Sequence, residues 1–451
     1  MTKVLLSLFL AAIFVCPVES KGNNIKENEE KISFHQLLQA VSEEYVKNPS
    51  IPDTSQPKVV NPADVSILAG DNRYWVTIYA SDKYERTKAL EAGLDIVEIS
   101  GKQVSGIIHA KSIKTLEEKG FVIALKMTLS EYAQEFFKDF PPNDSAYHNY
   151  DEMIEVLQKI ADSNKDIASL FSIGKSIEGR EIWTLRINSS VKGTQSSSKP
   201  GAVFMGAHHA REHLSVEVPL LYAVWLLENR NNPDVKKYID TLDIYIMPMV
   251  NPDGAEYDIS TGKYKWQRKN MRVNPDGEIG VDLNRNYAYR WGGPGASHST
   301  WSDTYCGPAA FSEPETQAIK KFVEERDNLK TLISYHSYSE LVLYPWGGVD
   351  EPIANEKDRK VFITMAQEMA KYTGYKPQQS SDLYVATGDT TDWTYAAKGI
   401  FSFTFEITPK SSYSGGFYPG IKVIEKTVTD NIKSAMYLLS VTHNPYSVLG
   451  K

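Results

Sequence analysis

Short apolar runs that alternate with helical segments constrain the fold of this chain more than any other feature of its sequence. The runs have no polar face, so each is expected to be a strand buried on both sides, as in parallel sheets covered by helices. The runs are residues 202–205, 242–250, 332–335 and 400–405, and the helical segments are residues 150–160, 215–229, 312–326, 361–372 and 427–439. The alternation predicts an α/β domain.

A different order of elements precedes this domain. Between residues 74 and 125, short β-branched and aromatic runs and two helical segments follow one another in the order β-α-β-β-α-β. That order is typical of a small ferredoxin-like α+β domain. The expected strands are residues 75–79, 96–99, 104–108 and 121–125, and the expected helices are residues 84–92 and 113–118. A polar junction with two prolines at residues 138–142 predicts the boundary between the two domains.

The N-terminus, residues 1–20, has the pattern of a secretory signal peptide. Lys3 is followed by an apolar run over residues 4–16, and Ser20 supplies the small residue expected near a cleavage site. The run is too short to span a membrane comfortably, and no later stretch is long and apolar enough to do so. We therefore expect a secreted protein that is released from the membrane.

Composition and charge exclude several classes of partner. The formal net charge of −8 excludes a generally basic nucleic-acid binder and gives no reason to expect an anionic membrane as a partner. With 41% hydrophobic and 24% charged residues, the chain has the composition of a soluble globular protein. Loss of the signal peptide would remove Cys16 and leave Cys306 alone, which excludes an intramolecular disulfide. The fold is therefore expected to depend on its core or on bound metal.

A cluster of histidines marks a candidate metal site. Three of the nine histidines lie within residues 208–213, directly after an apolar strand, where α/β folds place their sites. His209 and Glu212 are three residues apart, so one turn can aim both at a single point, and His336 at the end of a distant strand is the natural third ligand. A catalytic zinc takes nitrogen and carboxylate ligands from three side chains and keeps a fourth position open. The pattern predicts a catalytic zinc site.

Four short motifs occur in the large domain, HARE at 209–212, VDLNRN at 281–286, SYHSY at 334–338 and FTFE at 403–406. Taken together, they resemble those of the zinc metallocarboxypeptidases of the carboxypeptidase A/B class. The resemblance covers roughly residues 145–448, and NPDGAEYD at 251–258 and the segment 383–393 are most similar to bacterial carboxypeptidase T. It implies a mixed, mostly parallel sheet flanked by helices and one Zn²⁺ per chain.

The resemblance implies a role for each matching residue around the metal. His209, Glu212 and His336 are the implied zinc ligands. Glu406 is the implied general base, which activates a zinc-bound water to hydrolyse the C-terminal peptide bond, and Arg268 would stabilise the developing oxyanion. A carboxylate in the apolar surroundings of Glu406 should have its pKa raised towards the operating pH.

The resemblance also implies a set of substrate-binding residues. Asn284, Arg285 and Tyr384 would grip the terminal carboxylate, since an arginine fork matches a carboxylate with two parallel hydrogen bonds. Arg211 and Tyr338 would extend the subsites along the peptide. The implied substrates are peptides and proteins with free C-termini.

The loop after Tyr384 is similar to the loop that lines the specificity pocket in this family. Thr391 stands where relatives that prefer apolar residues carry an aliphatic side chain and relatives that prefer Lys and Arg carry an aspartate. Asp389 stands two residues earlier, where those relatives have glycine. A pocket with the neutral Thr391 at its base and the acidic Asp389 on its wall predicts dual specificity. Apolar and aromatic C-terminal residues would be preferred or equal, and basic ones would be accepted.

By the same resemblance, residues 21–138 are a propeptide that covers the active-site cleft and assists folding. Cleavage near residues 138–139 would release the catalytic domain, residues 139–451, so the enzyme is expected to be a zymogen with its own propeptide as an intramolecular partner. Calcium, an ion associated with carboxypeptidase T, stays open, because Asp253, Glu256 and Asp258 do not form a recognisable calcium loop.

Other interpretations remain open at this point. Residues 209–213 also match the HxxEH signature of inverted zinc proteases, in which His213 would bind zinc and Glu212 would be the base. That interpretation leaves His336 and Glu406 without a role. Another is a non-catalytic family member that acts as a binding module, and a further one is a zinc amidase or deacylase acting on small molecules or cell-wall peptides.

Overall fold

Two β-sheets organise the chain in the computed structural model, which describes residues 72–129, 132, 144, 146–260 and 264–450. The expected signal peptide, residues 1–20, and the expected junction at residues 138–142 lie outside the described residues. The part of the expected propeptide that can be compared with the structure therefore begins at residue 72.

A four-stranded antiparallel sheet with two helices forms the N-terminal part of the described chain. Its elements are β1 (Arg73–Tyr79), α1 (Lys83–Glu91), β2 (Leu94–Ser100), β3 (Gln103–His109), α2 (Ala110–Glu118) and β4 (Ile123–Thr128). The strands lie in the order β2-β3-β1-β4. Apolar side chains such as Val76, Leu94 and Leu116 fill the space between sheet and helices. The expected succession of six elements is confirmed for this small domain.

An eight-stranded sheet forms the centre of the large domain, in the order β11-β10-β12-β9-β7-β8-β6-β5. Its strands are β5 (Ala168–Lys175), β6 (Glu181–Ile187), β7 (Gly201–Gly206), β8 (Asp243–Met247), β9 (Leu329–Ser337), β10 (Leu341–Tyr344), β11 (Lys376–Gln379) and β12 (Phe401–Ile407). The helices are α3 (Tyr150–Asp162), α4 (Leu214–Glu228), α5 (Pro233–Thr241), α6 (Pro252–Ile259), α7 (Pro314–Glu324), α8 (Glu356–Thr373), α9 (Thr390–Lys398) and α10 (Ile424–Thr442). The α/β prediction is confirmed.

The four strands expected from the sequence are the centre of this sheet. β8, β7, β9 and β12 are neighbours and run parallel to one another. The strand expected over residues 242–250 ends earlier, at Met247, and is followed by Pro248, which has no N–H for a ladder hydrogen bond. Antiparallel pairs occur towards the edges, between β10 and β12, β6 and β8, and β5 and β6. The sheet is therefore mixed, with a parallel centre.

Helices cover both faces of the large sheet. Along β7, Ala202 and Phe204 join one apolar core, while Val203 and Met205 join the other, as the alternation of side chains along a strand requires. Helix α4 is buried along almost its whole length, which explains why its sequence has no polar face. No helix among the described residues is both long enough and apolar enough to cross a membrane.

Candidate active site

Two histidines and a glutamate meet where β7 and β9 end. His209 and Glu212 lie in the turn between β7 and α4, and His336 lies near the end of β9. His209 Nδ1 lies 2.7 Å from Glu212 Oε1, and His336 Nδ1 lies 3.1 Å from Glu212 Oε2 and 3.2 Å from His209 Nδ1. All three are buried, and one ligand atom from each lies within 4.8 Å of the others. Two imidazole nitrogens and a carboxylate aimed at one point suit a catalytic zinc ion.

The local sequence explains why the chain can turn so tightly before these ligands. A side chain at Gly206 would come within 2.1 Å of Ser215 O, so only glycine fits where β7 packs against the start of α4. Ser215 Oγ accepts a hydrogen bond from Ala207 N and donates one to Glu212 O. These contacts fix both ends of the turn and hold Glu212 beside His209.

Asp282 connects the candidate metal ligands with Arg268. Its Oδ1 lies 3.2 Å from His209 Nε2, and its Oδ2 accepts hydrogen bonds from Arg268 Nε at 3.0 Å and Nη2 at 2.9 Å. Burial would raise the pKa of Asp282, but Arg268, His209 and Arg285 together hold it well below its usual range. An ionised carboxylate in this place orients both the His209 ring and the Arg268 guanidinium.

Glu406 lies on a central strand beside this cluster. In the parallel pairing of β12 with β9, Glu406 is opposite His336, and β10 pairs with the other edge of β12. Burial, and then the charge of Glu212, raises the pKa of Glu406 well above its ordinary value, while Arg268 and Arg285 oppose that shift. A carboxylate with raised proton affinity, close to a candidate metal group, suits a general base.

Most of the site residues expected from the sequence line a single cavity. Those that line it are His209, Arg211, Glu212, Arg268, Asn284, Arg285, Tyr338, Tyr384 and Glu406. His336 is not among them, but it contacts His209 and Glu212, which are. The structure therefore brings together residues from the chain segments that the resemblance selected.

Arg285 is held rigidly in this cavity. It is buried, with Nε donating to Gly295 O at 3.2 Å and Nη1 donating to Asn284 O at 2.9 Å. The two backbone contacts fix the plane of the guanidinium and leave its remaining N–H groups available. Burial raises the pKa of the Tyr384 hydroxyl on the same cavity wall, so that group remains a hydrogen-bond donor at neutral pH.

Asp389 and Thr391 are not among the residues that line this cavity. Asp389 is the N-cap of α9, and its Oδ1 accepts hydrogen bonds from Thr391 N at 2.8 Å and Asp392 N at 3.0 Å. Thr391 Oγ1 also donates to Asp389 Oδ1 and lies 3.4 Å from Thr404 Oγ1, two residues before Glu406. The contacts of these two residues are within the start of α9 and with β12, and the specificity assigned to them stays a prediction.

Asp95 of the small domain also belongs to this site, and sequence reasoning missed it. Arg211 Nη2 donates to its carboxylate, and Arg268 Nη1 lies 3.5 Å from Asp95 Oδ1. Ile96, Val97 and Ile99 from the same part of β2 line the cavity as well. The available signal was an acid between apolar residues of β2, although Glu98 of the same strand gives the same signal.

His213 does not join the candidate metal ligands. Its Nε2 lies 2.9 Å from Asp258 Oδ2, and the group of described residues that can hold a metal contains His336 instead. Residues 209–213 precede α4, whereas the inverted protease motif needs these residues inside a helix. The geometry therefore opposes that interpretation.

The residues considered for calcium have partners inside the protein. Asp253 accepts hydrogen bonds from Ser176 Oγ and Glu178 N, and Glu256 accepts one from Tyr150 N. These bonds, with that between His213 and Asp258, give the three carboxylates structural roles.

Comparison with known proteins places this site in a family. A profile of the zinc carboxypeptidase family, Peptidase_M14, matches residues 153–434. The zinc carboxypeptidase of Saccharothrix mutabilis subsp. capreolus is 32% identical over 397 residues, which are 83% of this chain and 90% of the relative. Carboxypeptidase A1 of Homo sapiens is 32% identical over 287 residues, which are 62% of this chain and 67% of the relative.

The fold is also similar to that of a solved carboxypeptidase. The crystal structure of carboxypeptidase A from Helicoverpa armigera matches with a TM-score of 0.69 at 23% identity, over 84% of this chain and 99% of that chain. The profile match covers more than half of the chain and contains the His209, Glu212 and His336 group. The chain therefore belongs to the zinc carboxypeptidase family and is a Zn²⁺-dependent metallocarboxypeptidase.

Proposed function

We propose that this metallocarboxypeptidase is a secreted exopeptidase, made as a zymogen, that removes residues from the free C-termini of peptides and proteins. The observation that carries the proposal is a single cavity whose wall holds the metal group, Glu406 and the pair Asn284 and Arg285. Such a cavity can bind a terminal carboxylate at one end and hydrolyse the adjacent peptide bond at the other. The closer similarity to carboxypeptidase T stays a prediction.

The catalytic step in this proposal depends on proton transfer and charge stabilisation. His209, Glu212 and His336 would hold one Zn²⁺, which would polarise the scissile carbonyl and lower the pKa of a water molecule. Glu406 takes the proton from the attacking water and passes it to the leaving amine. Arg268, kept in place by its two hydrogen bonds to Asp282, donates to the oxygen on which negative charge develops.

The terminal carboxylate is bound at the other end of the cavity. Arg285 uses two of its donors on backbone carbonyls and keeps the others for the carboxylate, with Asn284 and Tyr384 beside it. Arg211 lies over the ring of Phe417, with 4.2 Å from its Cζ to the ring centroid. Once the small domain is removed, the donor that Arg211 uses on Asp95 becomes available for a carbonyl further along the substrate.

The small domain acts in this proposal as a propeptide with a ferredoxin-like fold. The fold assignment is supported by its element order and by the sheet order β2-β3-β1-β4. The covering role is supported by the ion pairs of Asp95 with Arg211 and Arg268, two arginines that line the cavity. It is also supported by the apolar side chains of β2 that line the same cavity. Residues 1–20 would be the signal peptide, residues 21–138 the propeptide and residues 139–451 the catalytic domain.

The exopeptidase activity is tested with a pair of peptides that differ only at the C-terminus. The full-length chain, activated by limited proteolysis, is expected to shorten the free acid one residue at a time and to cleave the C-terminal amide about 100-fold more slowly, because the amide has no charge for Arg285. Mass spectrometry of timed samples measures both rates. Comparable cleavage of the amidated peptide would favour an amidase or deacylase, and no cleavage by the zinc-loaded enzyme would favour a binding module.

Metal removal completes this test. A chelator should abolish cleavage, and Zn²⁺ should restore it, while the far-ultraviolet circular dichroism spectrum stays unchanged, because the α/β core is large enough to fold without the ion. Metal analysis should give one zinc per chain. Unfolding on chelation would contradict this independence of fold and metal.

Dual specificity is tested at Asp389. Asp389→Asn should lower kcat/KM for substrates ending in Lys or Arg by up to about fivefold, the size of a partly solvated ion pair, and leave substrates ending in Leu or Phe nearly unchanged. Asparagine is also a good N-cap, so α9 should keep its start in this variant. Rates for matched peptides ending in Lys, Arg, Leu and Phe provide the measurement.

A control separates this local effect from the loss of one negative charge. Asp382 is exposed in the loop before Tyr384, so Asp382→Asn removes the same charge without touching the N-cap of α9. It should change the rates for all four peptides by the same small factor. Equal effects of the two substitutions, or a parent enzyme that never cleaves basic C-terminal residues, would show that Asp389 does not contribute to the specificity pocket.

A further inference from the structure

A buried chain of hydrogen bonds runs behind the cavity from the metal group to Asn284. Thr390, at the start of α9, donates to Asn284 Oδ1 from its backbone N at 3.0 Å and from its hydroxyl at 2.9 Å. The same hydroxyl lies 3.0 Å from His208 Nε2. Ser334 Oγ lies 3.3 Å from His208 Nδ1 and 3.2 Å from His336 Nε2. The side chains of Thr390, His208 and Ser334 are almost fully buried, so this hydrogen-bond network is closed to solvent.

The backbone of Thr390 determines how the Asn284 amide is oriented. A backbone N–H can only donate, so the Asn284 atom that faces it must be the oxygen rather than the nitrogen. Two donors on Oδ1 satisfy that acceptor and leave both N–H groups of the amide for other partners. Because Asn284 lines the cavity, these N–H groups are available to a carboxylate placed there.

The remaining hydrogen atoms along the chain can be assigned in the same way. The single hydroxyl proton of Thr390 goes to Asn284 Oδ1, so Thr390 Oγ1 is an acceptor for His208 Nε2–H in the tautomer that carries hydrogen on Nε2, a nitrogen that also lies 2.8 Å from the Tyr287 hydroxyl. His208 Nδ1 then accepts from the hydroxyl of Ser334, and Ser334 Oγ accepts from His336 Nε2–H. This order leaves His336 Nδ1 free of hydrogen, on the side that faces His209 and Glu212. In this assignment every donor of the network has an acceptor, and the Tyr287 hydroxyl is a second neighbour of His208 Nε2.

We infer that Thr390 is a positioning residue for recognition of the substrate's terminal carboxylate, because it fixes the amide of Asn284 with both N–H groups towards the cavity. The inference rests on the proposed exopeptidase function and deepens it. Thr390 itself does not line the cavity, so it acts through Asn284. His208, which the catalytic proposal leaves without a role, contacts the Thr390 hydroxyl at 3.0 Å and the Tyr287 hydroxyl at 2.8 Å from the same Nε2.

The test compares Thr390→Val, which keeps the shape of the side chain and removes the hydroxyl, with Thr390→Ser, which restores it. Thr394→Val is the matched control, since Thr394 is equally buried on α9 and its hydroxyl contacts Ser402 and Thr390 O rather than the cavity. Calorimetry on the full-length chain, zinc-loaded and activated by limited proteolysis, measures binding of N-acetylphenylalanine and of N-acetylphenylalaninamide. Steady-state rates with the free-acid peptide give KM and kcat for the same proteins.

Thr390→Val is expected to weaken binding of the free acid and to raise KM about tenfold, with binding of the amide nearly unchanged and kcat reduced less than KM is raised. Thr390→Ser and Thr394→Val should behave like the parent in these measurements. A Thr390→Val variant that keeps the parent's preference for the acid, or loses no more of it than Thr394→Val, would overturn the inference. A parent enzyme without any preference for the acid would overturn the proposed function, and the inference with it.

Discussion

Glu406→Gln should lower kcat by about 10²–10⁴-fold, the usual contribution of a general base, while KM and the zinc content stay close to those of the parent. The amide is nearly isosteric with the carboxylate but cannot take a proton from water. Glu406 lies on β12, opposite His336 in the pairing with β9, and is not one of the three candidate metal ligands. Its loss should therefore affect proton transfer and leave metal binding intact. Single-turnover rates and metal analysis of the purified variant measure the two effects separately.

A second glutamate near the same sheet edge provides the control for this prediction. Glu340 lies in the turn between β9 and β10, and its Oε1 accepts a hydrogen bond from Thr408 Oγ1 at 2.9 Å, away from the cavity. Glu340→Gln removes one negative charge close to the site and should leave kcat within about twofold of the parent, because Glu340 does not line the cavity and the change is worth less than about 0.5 kcal/mol. Near-normal turnover by Glu406→Gln, or an equal loss in the two variants, would exclude Glu406 as the base.

The sequence predicted the centre of the large sheet better than its edges. β7, β8, β9 and β12 are buried on both faces, so continuous apolar runs reveal them. β11, with the sequence KPQQ, is a strand only because β10 pairs with it, and nothing in those residues favours a strand. β5 is an edge strand with mostly half-buried residues, so its apolar pattern is weak. Tertiary pairing, which the sequence of one segment does not contain, decides these edges.

The candidate site was predictable to the extent that it depends on local spacing and on motifs. His209 and Glu212 lie in one turn, so their spacing carries the information. Glu406 and His336 come together through the parallel register of β12 on β9, and their separation along the chain says nothing of that. For Asp389, the residue type was not sufficient to predict a role, because an aspartate can serve either as a helix N-cap or as a binding residue. The contact of Asp95 with Arg211 depends on how two domains pack, which motif comparison does not address.

Proteolytic removal of the small domain should raise activity towards a free-acid peptide by at least about 100-fold. The uncleaved chain has Asp95 on Arg211 and close to Arg268, and β2 places apolar side chains in the cavity. Thr87 Oγ1 accepts a hydrogen bond from Val385 N, next to Tyr384. Arg86 donates to the carbonyl oxygens of Asp382 and Leu383, so the small domain contacts the residues on both sides of Tyr384. If the small domain covers the site as proposed, a substrate can enter only after these contacts break.

The size of this activation follows from the free energy of the covered state. Residual activity of about 1% requires the covered state to be favoured by about 2.7 kcal/mol, which a few buried charged hydrogen bonds can provide. Asp95→Asn removes the charge that faces the two arginines, so the uncleaved variant should be about tenfold more active than the uncleaved parent. The catalytic domains released from the variant and from the parent have the same sequence, and their equal activities are the internal control. An uncleaved parent as active as its cleaved product would show that the small domain does not cover the site. Equal residual activities of the uncleaved parent and the uncleaved variant would show that Asp95 does not keep the small domain over the site.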